Sequence, residues 1–428
     1  MRELFSSYLK SDQSEGRASA KPGRAPASEV SEPRIQELDG FRAMAVLMIL
    51  IHHLCYGWPL DAAAFSWMPH SLVFAIAHGW LGVDLFFILS GFLISGILLD
   101  SRESGHYFRN FYIRRTLRIV PLYFTCILVM YFAYPGAGTY FLLAVMFLAN
   151  FFYPFGAFPP HGASVFWSLA IEEHFYLLWP LLVRLLNRTT LFVLTLIIVF
   201  GTPILRGICA YRGMDPELEI YIYSFFRFDG LALGAILALW VRSPYYSRVS
   251  AWKLAGVLVG LSLAVTVIGW PYGIMGTRTV ASSALRYTQA QLMFAGAIAL
   301  ALAYRGSGIT GILRSRPARF VADVSYCIYL IHLAMGDAYY FVLQSIDVND
   351  VGAFGAVGAL AVRSVVIGTL TFGVAVISKR FLEDPFLRLK RYFHNPRKRA
   401  VMDPSGLMHE PTLSEADLAR HVLDRKVG

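Results

Sequence analysis

Charged side chains are scarce in this sequence, and their scarcity excludes an ordinary soluble protein of this size. Only 15% of the 428 residues are Asp, Glu, Lys or Arg, whereas 56% are hydrophobic and 15% are aromatic. A typical soluble domain has about 25% charged residues. We therefore expect an all-α integral membrane protein, with most of the chain in the lipid bilayer.

Cysteine is also rare, which argues against a disulfide framework or a zinc site. The four cysteines are Cys55, Cys126, Cys209 and Cys327, and each lies in or beside an apolar run. Their spacing matches neither paired cysteines nor the ligands of a metal ion. We expect no disulfide, no metal and no bound cofactor.

The first 36 residues lack the apolar stretch that a cleaved signal peptide requires. They are polar, basic and rich in Ser, Ala and Pro, which predicts a disordered cytoplasmic tail. The sequence after residue 391 is again mostly polar and charged. The predicted organisation is a tail over residues 1–36, a membrane domain over residues 37–391 and a second cytoplasmic tail over residues 392–428.

The net charge of +10 does not indicate a nucleic-acid-binding protein, because the basic residues are spread over short loops between apolar runs. These runs are long enough to cross a hydrocarbon core of about 30 Å, and they predict a bundle of about ten transmembrane helices. The predicted spans lie near Phe41–Gly57, Ala77–Leu99, Leu117–Tyr134, Phe166–Leu186, Leu191–Leu205, Ile220–Val241, Leu254–Trp270, Leu285–Tyr304, Val321–Leu343 and Phe354–Ile377.

One further apolar run, Tyr140–Tyr153, is too short to cross comfortably, and we interpret it as interfacial or re-entrant. If this run does not cross, every basic segment falls on the cytoplasmic side, as the positive-inside rule requires. Both termini are then cytoplasmic. The basic segments are Arg102–Arg118, Arg184 with Arg188, Arg242–Lys253, Arg305–Arg319 and Lys379–Arg399.

The first span carries Arg42 at its cytoplasmic mouth and His53 eleven residues later. In a helix these positions lie within about 20° of one face and about 16 Å apart, which places His53 near mid-bilayer. An ionisable group at that depth is costly in lipid and is expected to face a polar cavity, where a neutral imidazole can act as a general base. The alternative is a histidine that only hydrogen-bonds a neighbouring helix.

Carboxylates in two other spans are candidates for the same cavity. Asp84 is predicted near one turn above His53, where it either orients the imidazole, contacts an acceptor or is simply wetted from outside. Glu172 and Glu173 lie near the depth of His53. Adjacent helical residues point about 100° apart, so one glutamate is expected to face the cavity, and the sequence does not decide which.

Three arginines, Arg114, Arg115 and Arg118, form a compact cationic group between the second and third spans. Such a group can bind phosphates in bidentate fashion, as in coenzyme A. The alternative is that these arginines serve membrane topology and bind anionic lipid headgroups.

Other polar residues lie in apolar surroundings further along the chain. Arg227 and Asp229 precede one apolar run, and Tyr326 and His332 lie within another. They either line the same cavity or have interfacial and packing roles.

The segments that carry these residues resemble, in order, the acyltransferase 3 family of membrane O-acyltransferases. The resemblance covers roughly Glu37–Arg391. The segments are LDGFRAMAVLMILIHH, GWLGVDLFFILSGFLISG, FRNFYIRRTLRIVPLYF, FWSLAIEEHFYLLWP, RFDGLALGAIL and SYCIYLIHL.

The resemblance implies a ten-helix bundle that transfers an acyl group, usually acetyl, from cytoplasmic acyl-CoA as co-substrate to a carbohydrate or lipid-linked sugar across the membrane. It implies His53 as the catalytic base, with Arg42 in the same motif, and it matches Glu172 and Asp84 to family motif positions. It also matches Arg114, Arg115 and Arg118 to the family's arginine-rich motif. The implied location is a bacterial inner membrane.

Some family members carry an additional extracytoplasmic hydrolase domain, and this sequence is expected to be the stand-alone type. Such a protein either acylates the acceptor itself or passes the group to a partner protein on the outer side. Two other interpretations are open: a proton-coupled transporter or flippase whose His, Asp and Glu form a proton relay, and a bundle whose polar residues only hold helices together.

Overall fold

The computed structural model describes residues 35–55, 66, 68–276, 278–343, 353–393, 401–402 and 408–409. The predicted tails fall almost wholly outside these residues. The helices are α1 (Gln36–Cys55), α2 (His70–Ala77), α3 (Gly82–Asp100), α4 (Tyr107–Ala133), α5 (Gly138–Val145), α6 (Phe166–Leu185), α7 (Arg188–Tyr211), α8 (Phe228–Val241), α9 (Arg248–Gly269), α10 (Val280–Ala303), α11 (Arg316–Leu343), α12 (Ala353–Ser378) and α13 (Asp384–Arg388). Two short strands, β1 (Val401–Met402) and β2 (Met408–His409), pair antiparallel.

Seven helices in the described part of the chain are long and apolar enough to cross a membrane. They correspond to α1, α3, α4, α7, α9, α11 and α12, some extended by flanking turns. The chain is therefore a multi-pass, helical membrane protein, which confirms the predicted class. The count of ten spans and the cytoplasmic position of both termini stay predictions.

The remaining three predicted spans coincide with α6, α8 and α10. The predicted helix Ile220–Val241 is wrong in its first part, because α8 has only 14 residues and begins at Phe228. The preceding segment instead forms a π-helical turn, Pro216–Ile220, and a 3-10 turn, Ser224–Phe226. Buried Asn150 donates to the Ile222 carbonyl at 3.2 Å, which satisfies part of this irregular backbone.

The short apolar run Tyr140–Tyr153 was predicted not to cross the membrane, and it forms no spanning helix. It begins within the eight-residue helix α5 and continues through the 3-10 turns Ala149–Phe151 and Tyr153–Phe155. Eight helical residues rise about 12 Å, less than half of a hydrocarbon core.

Glycine brings α3 and α8 into backbone contact. A Cβ atom added at Gly91 would collide with the backbone of Leu231, and one added at Gly234 would collide with the carbonyl of Ile88. Gly91 and Gly234 are therefore packing residues, as in other closely approaching membrane helices. This approach brings Asp84 beside the beginning of α8.

A cavity lies between five helices, on the face of α3 that is turned away from α8. Its walls come from α1, α3, α4, α6 and α11. Apolar side chains of the same helices pack around it, including Phe87, Ile94, Leu169 and Ile328. The five helices thus enclose a space that polar side chains from several parts of the sequence can share.

Candidate active site

Four of the seven predicted site residues line the cavity. Arg42, Arg115, Arg118 and Glu172 all line it, although they come from three different helices. The volume of the cavity is about 140 Å³. The remaining lining combines aliphatic and aromatic side chains with a few hydroxyls, the usual composition of a site for a small organic group. The hydroxyl-bearing residues are Ser90, Ser168, Tyr176, Ser325, Tyr326 and Tyr329.

The two adjacent glutamates have different surroundings. Glu172 lines the cavity and accepts a hydrogen bond of 2.7 Å from the Tyr176 hydroxyl, which also contacts Ser90. Glu173 does not border the cavity, and its Oε1 is buried without a hydrogen-bond partner in the part of the chain that the structure describes. Glu172 is therefore the glutamate that faces the cavity.

Positive charge accumulates at one end of the cavity. The guanidinium of Arg115 lies 5.1 Å from the centroid of the Tyr176 ring, and Arg42 forms an ion pair of 3.5 Å with Asp39. Lys390, which the sequence analysis did not single out, lies within electrostatic range of Arg114, Arg115 and Arg118. The guanidinium groups of Arg42, Arg115 and Arg118 are of the kind that binds phosphates in bidentate fashion.

Arg114 differs from the other predicted arginines, because it does not border the cavity. Its Nη1 donates a long hydrogen bond of 3.5 Å to the carbonyl of Phe393. The predicted cationic cluster is therefore divided, with Arg115 and Arg118 on the cavity and Arg114 toward the segment that follows α13.

His53 lies against a second histidine, His332 of α11. The ring centroids are 4.9 Å apart, and His332 Nε2 lies 3.1 Å from His53 Nδ1. His53 Nδ1 is also 3.0 Å from the Ile49 carbonyl, while His332 Nδ1 is 2.8 Å from the Tyr329 carbonyl. His53 thus contacts a carbonyl and an imidazole, whereas the carboxylates of Asp84 and Glu172 accept hydrogen bonds from Arg227 and Tyr176.

These partners assign the tautomers of the histidine pair. A carbonyl only accepts hydrogen bonds, so the Nδ1 atoms of His53 and His332 both carry hydrogen. In neutral His332, Nε2 then accepts from His53 Nδ1–H. Neutral His53 therefore has its lone pair on Nε2, the state that a general base requires.

The histidine pair is connected to the cavity through Tyr329. The Tyr329 side chain lines the cavity and its hydroxyl is 2.5 Å from the Ser168 hydroxyl, while its backbone carbonyl holds His332. His53 itself is not among the lining residues. Tyr329 thus separates the cationic cavity from the histidine pair.

Asp84 belongs to a different, fully buried network. Its Oδ1 accepts from Arg227 Nη2 at 2.9 Å and from Gln291 Nε2 at 2.8 Å, and the side chains of both ionic partners are 0% exposed. Its Oδ2 has no hydrogen-bond partner among the described residues. Of the alternatives for Asp84, a contact with His53 and exposure to water are therefore not seen, because the close approach of α3 and α8 directs the buried carboxylate to Arg227. A contact of Asp84 with the acceptor stays a prediction.

The network continues to a second ion pair. Gln291 also lies 3.2 Å from Asp229, and Asp229 pairs with Arg206 at 2.8 Å. Arg227 stacks on aromatic rings, with Tyr287 the nearest at 4.2 Å from the ring centroid. Arg227 and Asp229 are thus neither interfacial nor part of the cavity. The sequence analysis missed Arg206 and Gln291, although a polar residue within an apolar helix is the signal that identifies them.

A family model described as an acyltransferase domain matches residues 35–378 of the chain. The chain is 28% identical over 386 residues to the peptidoglycan O-acetyltransferase OatA of Listeria monocytogenes, covering 83% of this chain and 56% of that protein. It is 27% identical over 347 residues to the putative peptidoglycan O-acetyltransferase YrhL of Bacillus subtilis, covering 74% of this chain and 50% of that protein.

A third similar protein is the O-acetyltransferase OatA of Staphylococcus aureus, which is 26% identical over 394 residues, covering 85% of this chain and 59% of that protein. The chain thus spans between half and three-fifths of the length of these relatives. No solved structure matches the chain significantly.

Proposed function

Because the chain belongs to the acyltransferase 3 family, we propose that it transfers an acetyl group from cytoplasmic acetyl-CoA to a hydroxyl of a cell-envelope carbohydrate. The names of its relatives favour a peptidoglycan sugar as the acceptor. The observation that carries the proposal is the cavity, which joins Arg42, Arg115 and Arg118 to Glu172 and ends at the tyrosine that holds the histidine pair.

In this proposal the arginine end of the cavity binds the phosphates of the donor. Arg115 and Arg118 face the cavity from α4, and Arg42 faces it from α1. Arg114, the neighbour of Arg115 in α4, adds positive charge outside the cavity. The apolar lining then suits the uncharged pantetheine arm and the acetyl group, so that only the neutral part of the donor enters the bundle.

His53 acts as the general base in the proposed reaction. Its Nε2 removes the proton of the acceptor hydroxyl while the acceptor oxygen bonds to the thioester carbonyl carbon. The carbon–sulfur bond breaks, and the proton passes from His53 to the departing thiolate, which leaves as coenzyme A. His332 holds the His53 tautomer by accepting from Nδ1–H, and it stabilises the protonated ring once the proton has been taken.

The test is acetyl-CoA consumption by the purified protein in lipid nanodiscs with a peptidoglycan fragment as acceptor. We expect His53→Ala to lower kcat by about 10²–10⁴-fold, the usual contribution of a general base. His52→Ala is the matched control, because His52 bonds the Ile76 carbonyl at 2.9 Å rather than His332. Equal losses in both variants would indicate a structural effect and contradict the role of His53.

The donor site is tested in the same assay with Arg115→Ala. We expect the KM for acetyl-CoA to rise about tenfold, which corresponds to the loss of roughly one charge-assisted hydrogen bond. Arg109→Ala is the control, since Arg109 lies 5.8 Å from the Phe393 ring and does not border the cavity. If the folded wild type neither binds nor consumes any acyl-CoA, the transferase proposal is wrong and proton-coupled transport becomes the hypothesis to test.

A further inference from the structure

A histidine–carboxylate cluster lies outside the cavity and the histidine pair described above. His161 Nδ1 is 2.6 Å from Asp337 Oδ1, and the Tyr134 hydroxyl donates to Asp337 Oδ2 at 2.5 Å. We call these three residues the mouth cluster. The side chains of His161 and Asp337 are 52% and 24% exposed, so the cluster is open to solvent. The donor-binding proposal uses none of the three.

The mouth cluster lies at the end of the bundle opposite the arginines. Tyr134 follows the last residue of α4 and is nineteen residues from Arg115, a rise of about 28 Å along that helix. Asp337 lies five residues after His332 on α11, and His161 is within electrostatic range of both His53 and His332. The cluster therefore approaches the histidine pair from the side away from the donor's charges.

The local backbone is built to keep the cluster together. A Cβ atom at Gly162 would collide with the Tyr134 hydroxyl and with the backbone of Ala334 and would press against Asp337 Oδ2, so a larger residue would displace the cluster. Burial, and then the bond to Asp337, raise the pKa of Tyr134 above its ordinary value. The Tyr134 hydroxyl thus stays protonated and remains a donor to the carboxylate.

The mouth cluster can accept hydrogen bonds from hydroxyl groups. A carboxylate only accepts, so His161 Nδ1 carries the hydrogen and Nε2 of the neutral ring is the accepting atom. The Asp337 carboxylate also accepts from the Gly162 backbone amide, and its roughly four lone-pair sites leave room for a further donor beside His161, Tyr134 and Gly162. A neutral polyol can donate to several of these atoms, whereas the negative carboxylate disfavours an anion.

We propose that the mouth cluster binds hydroxyl groups of the carbohydrate acceptor and positions the reacting one toward His53. This inference rests on the proposed function and specifies its acceptor side. His161 and Asp337 are the residues that contact the sugar, and Tyr134 is a positioning residue that acts through the carboxylate. The acceptor and the donor then approach the histidine pair from opposite ends of the bundle.

The experiment separates acceptor binding from donor chemistry. Binding of a peptidoglycan disaccharide-peptide is measured by tryptophan fluorescence on the full chain in nanodiscs, without acetyl-CoA, and transfer kinetics are measured separately. The variants are Asp337→Asn, His161→Asn and Tyr134→Phe. The control is His106→Asn, because His106 is an exposed histidine at the arginine end, immediately before α4.

We expect Asp337→Asn and His161→Asn to weaken fragment binding at least tenfold and to raise the acceptor KM equally, with the KM for acetyl-CoA unchanged. Tyr134→Phe is expected to have a smaller effect in the same direction. Fragment binding at wild-type strength in both Asp337→Asn and His161→Asn would overturn the proposal, whatever the transfer rates. If the wild type consumes no acetyl-CoA but binds the fragment, and Asp337→Asn and His161→Asn weaken that binding, the acceptor site is supported and only the transferase chemistry is rejected.

Discussion

Asp84 and Glu172 are both carboxylates inside the helical bundle, but they have different neighbours. Asp84 is held between Arg227 and Gln291, with no exposed side-chain surface. Glu172 borders a cavity, and its hydrogen bond comes from the neutral hydroxyl of Tyr176. One acid is enclosed by ionic partners, and the other faces a space that a ligand can enter.

The comparison shows that an intramembrane charge alone does not identify an active site. Both acids carry the same sequence signal, a costly ionisable group within an apolar helix. The buried Asp84–Arg227 pair is explained by packing, since the two charges and Gln291 compensate each other where α3 and α8 meet. Glu172 and the arginines near it instead border an open cavity, and we therefore assign function to that region.

The largest effect is expected from breaking the buried ion pair. Arg227→Met leaves the Asp84 carboxylate buried with Gln291 as its remaining donor, and it should lower the free energy of unfolding by about 3–5 kcal/mol. The measurement is denaturation in mixed micelles, followed by circular dichroism. Asp84→Asn combined with Arg227→Met should recover much of the loss, because no uncompensated charge remains. Unchanged stability with abolished turnover would instead place Asp84 in catalysis.

The next effect concerns turnover rather than stability. Glu172→Gln keeps the shape of the side chain and its bond from Tyr176 but removes the charge from the cavity. If Glu172 is a second acid–base group that acts beside His53, kcat should fall about 10²-fold, the lower end of acid–base contributions, with the free energy of unfolding nearly unchanged. Acetyl transfer and micelle denaturation measure the two quantities on the same preparation.

Glu173→Gln is the matched control for this substitution, because Glu173 is adjacent in sequence and does not border the cavity. It should leave kcat within about threefold of the wild type. A larger loss in Glu173→Gln than in Glu172→Gln would reverse the assignment of the two glutamates.

The positions of most helices could be predicted from the sequence, because length and apolar character determine which segments cross a membrane. The beginning of α8 was missed, since Ile220–Phe226 is apolar enough for a helix but is bonded by Asn150 in an irregular conformation. Hydropathy does not register such a contact between distant segments.

Within the candidate site, sequence reasoning identified the residue types better than their pairings. Asp84 and Arg227 were both noted, but their pairing depends on how α3 crosses α8. His332 was noted without its contact to His53. His161 was missed because it lies in a short 3-10 turn, His161–Ala163, outside the apolar helices. Asp337 was detectable as a carboxylate in an apolar helix five residues after His332.

The smallest effect tests whether the functional region extends from the cavity to the histidine pair. His332→Phe keeps an aromatic ring against His53 but removes the nitrogen that accepts from Nδ1–H. A neutral hydrogen bond contributes about 0.5–1.5 kcal/mol, so kcat should fall about fivefold. His332→Gln, whose side-chain carbonyl can accept from the same hydrogen, should restore most of the rate.

The matched change in the buried network is Gln291→Leu. It removes the hydrogen bond of 2.8 Å that Gln291 donates to Asp84. This variant should lose stability and keep its kcat, whereas His332→Phe should lose kcat and keep its stability. The two regions are then distinguished by which quantity responds to the loss of one hydrogen bond. If both variants lose only stability, the histidine pair is a packing contact like the Asp84 network, and His53 needs another partner to fix its tautomer.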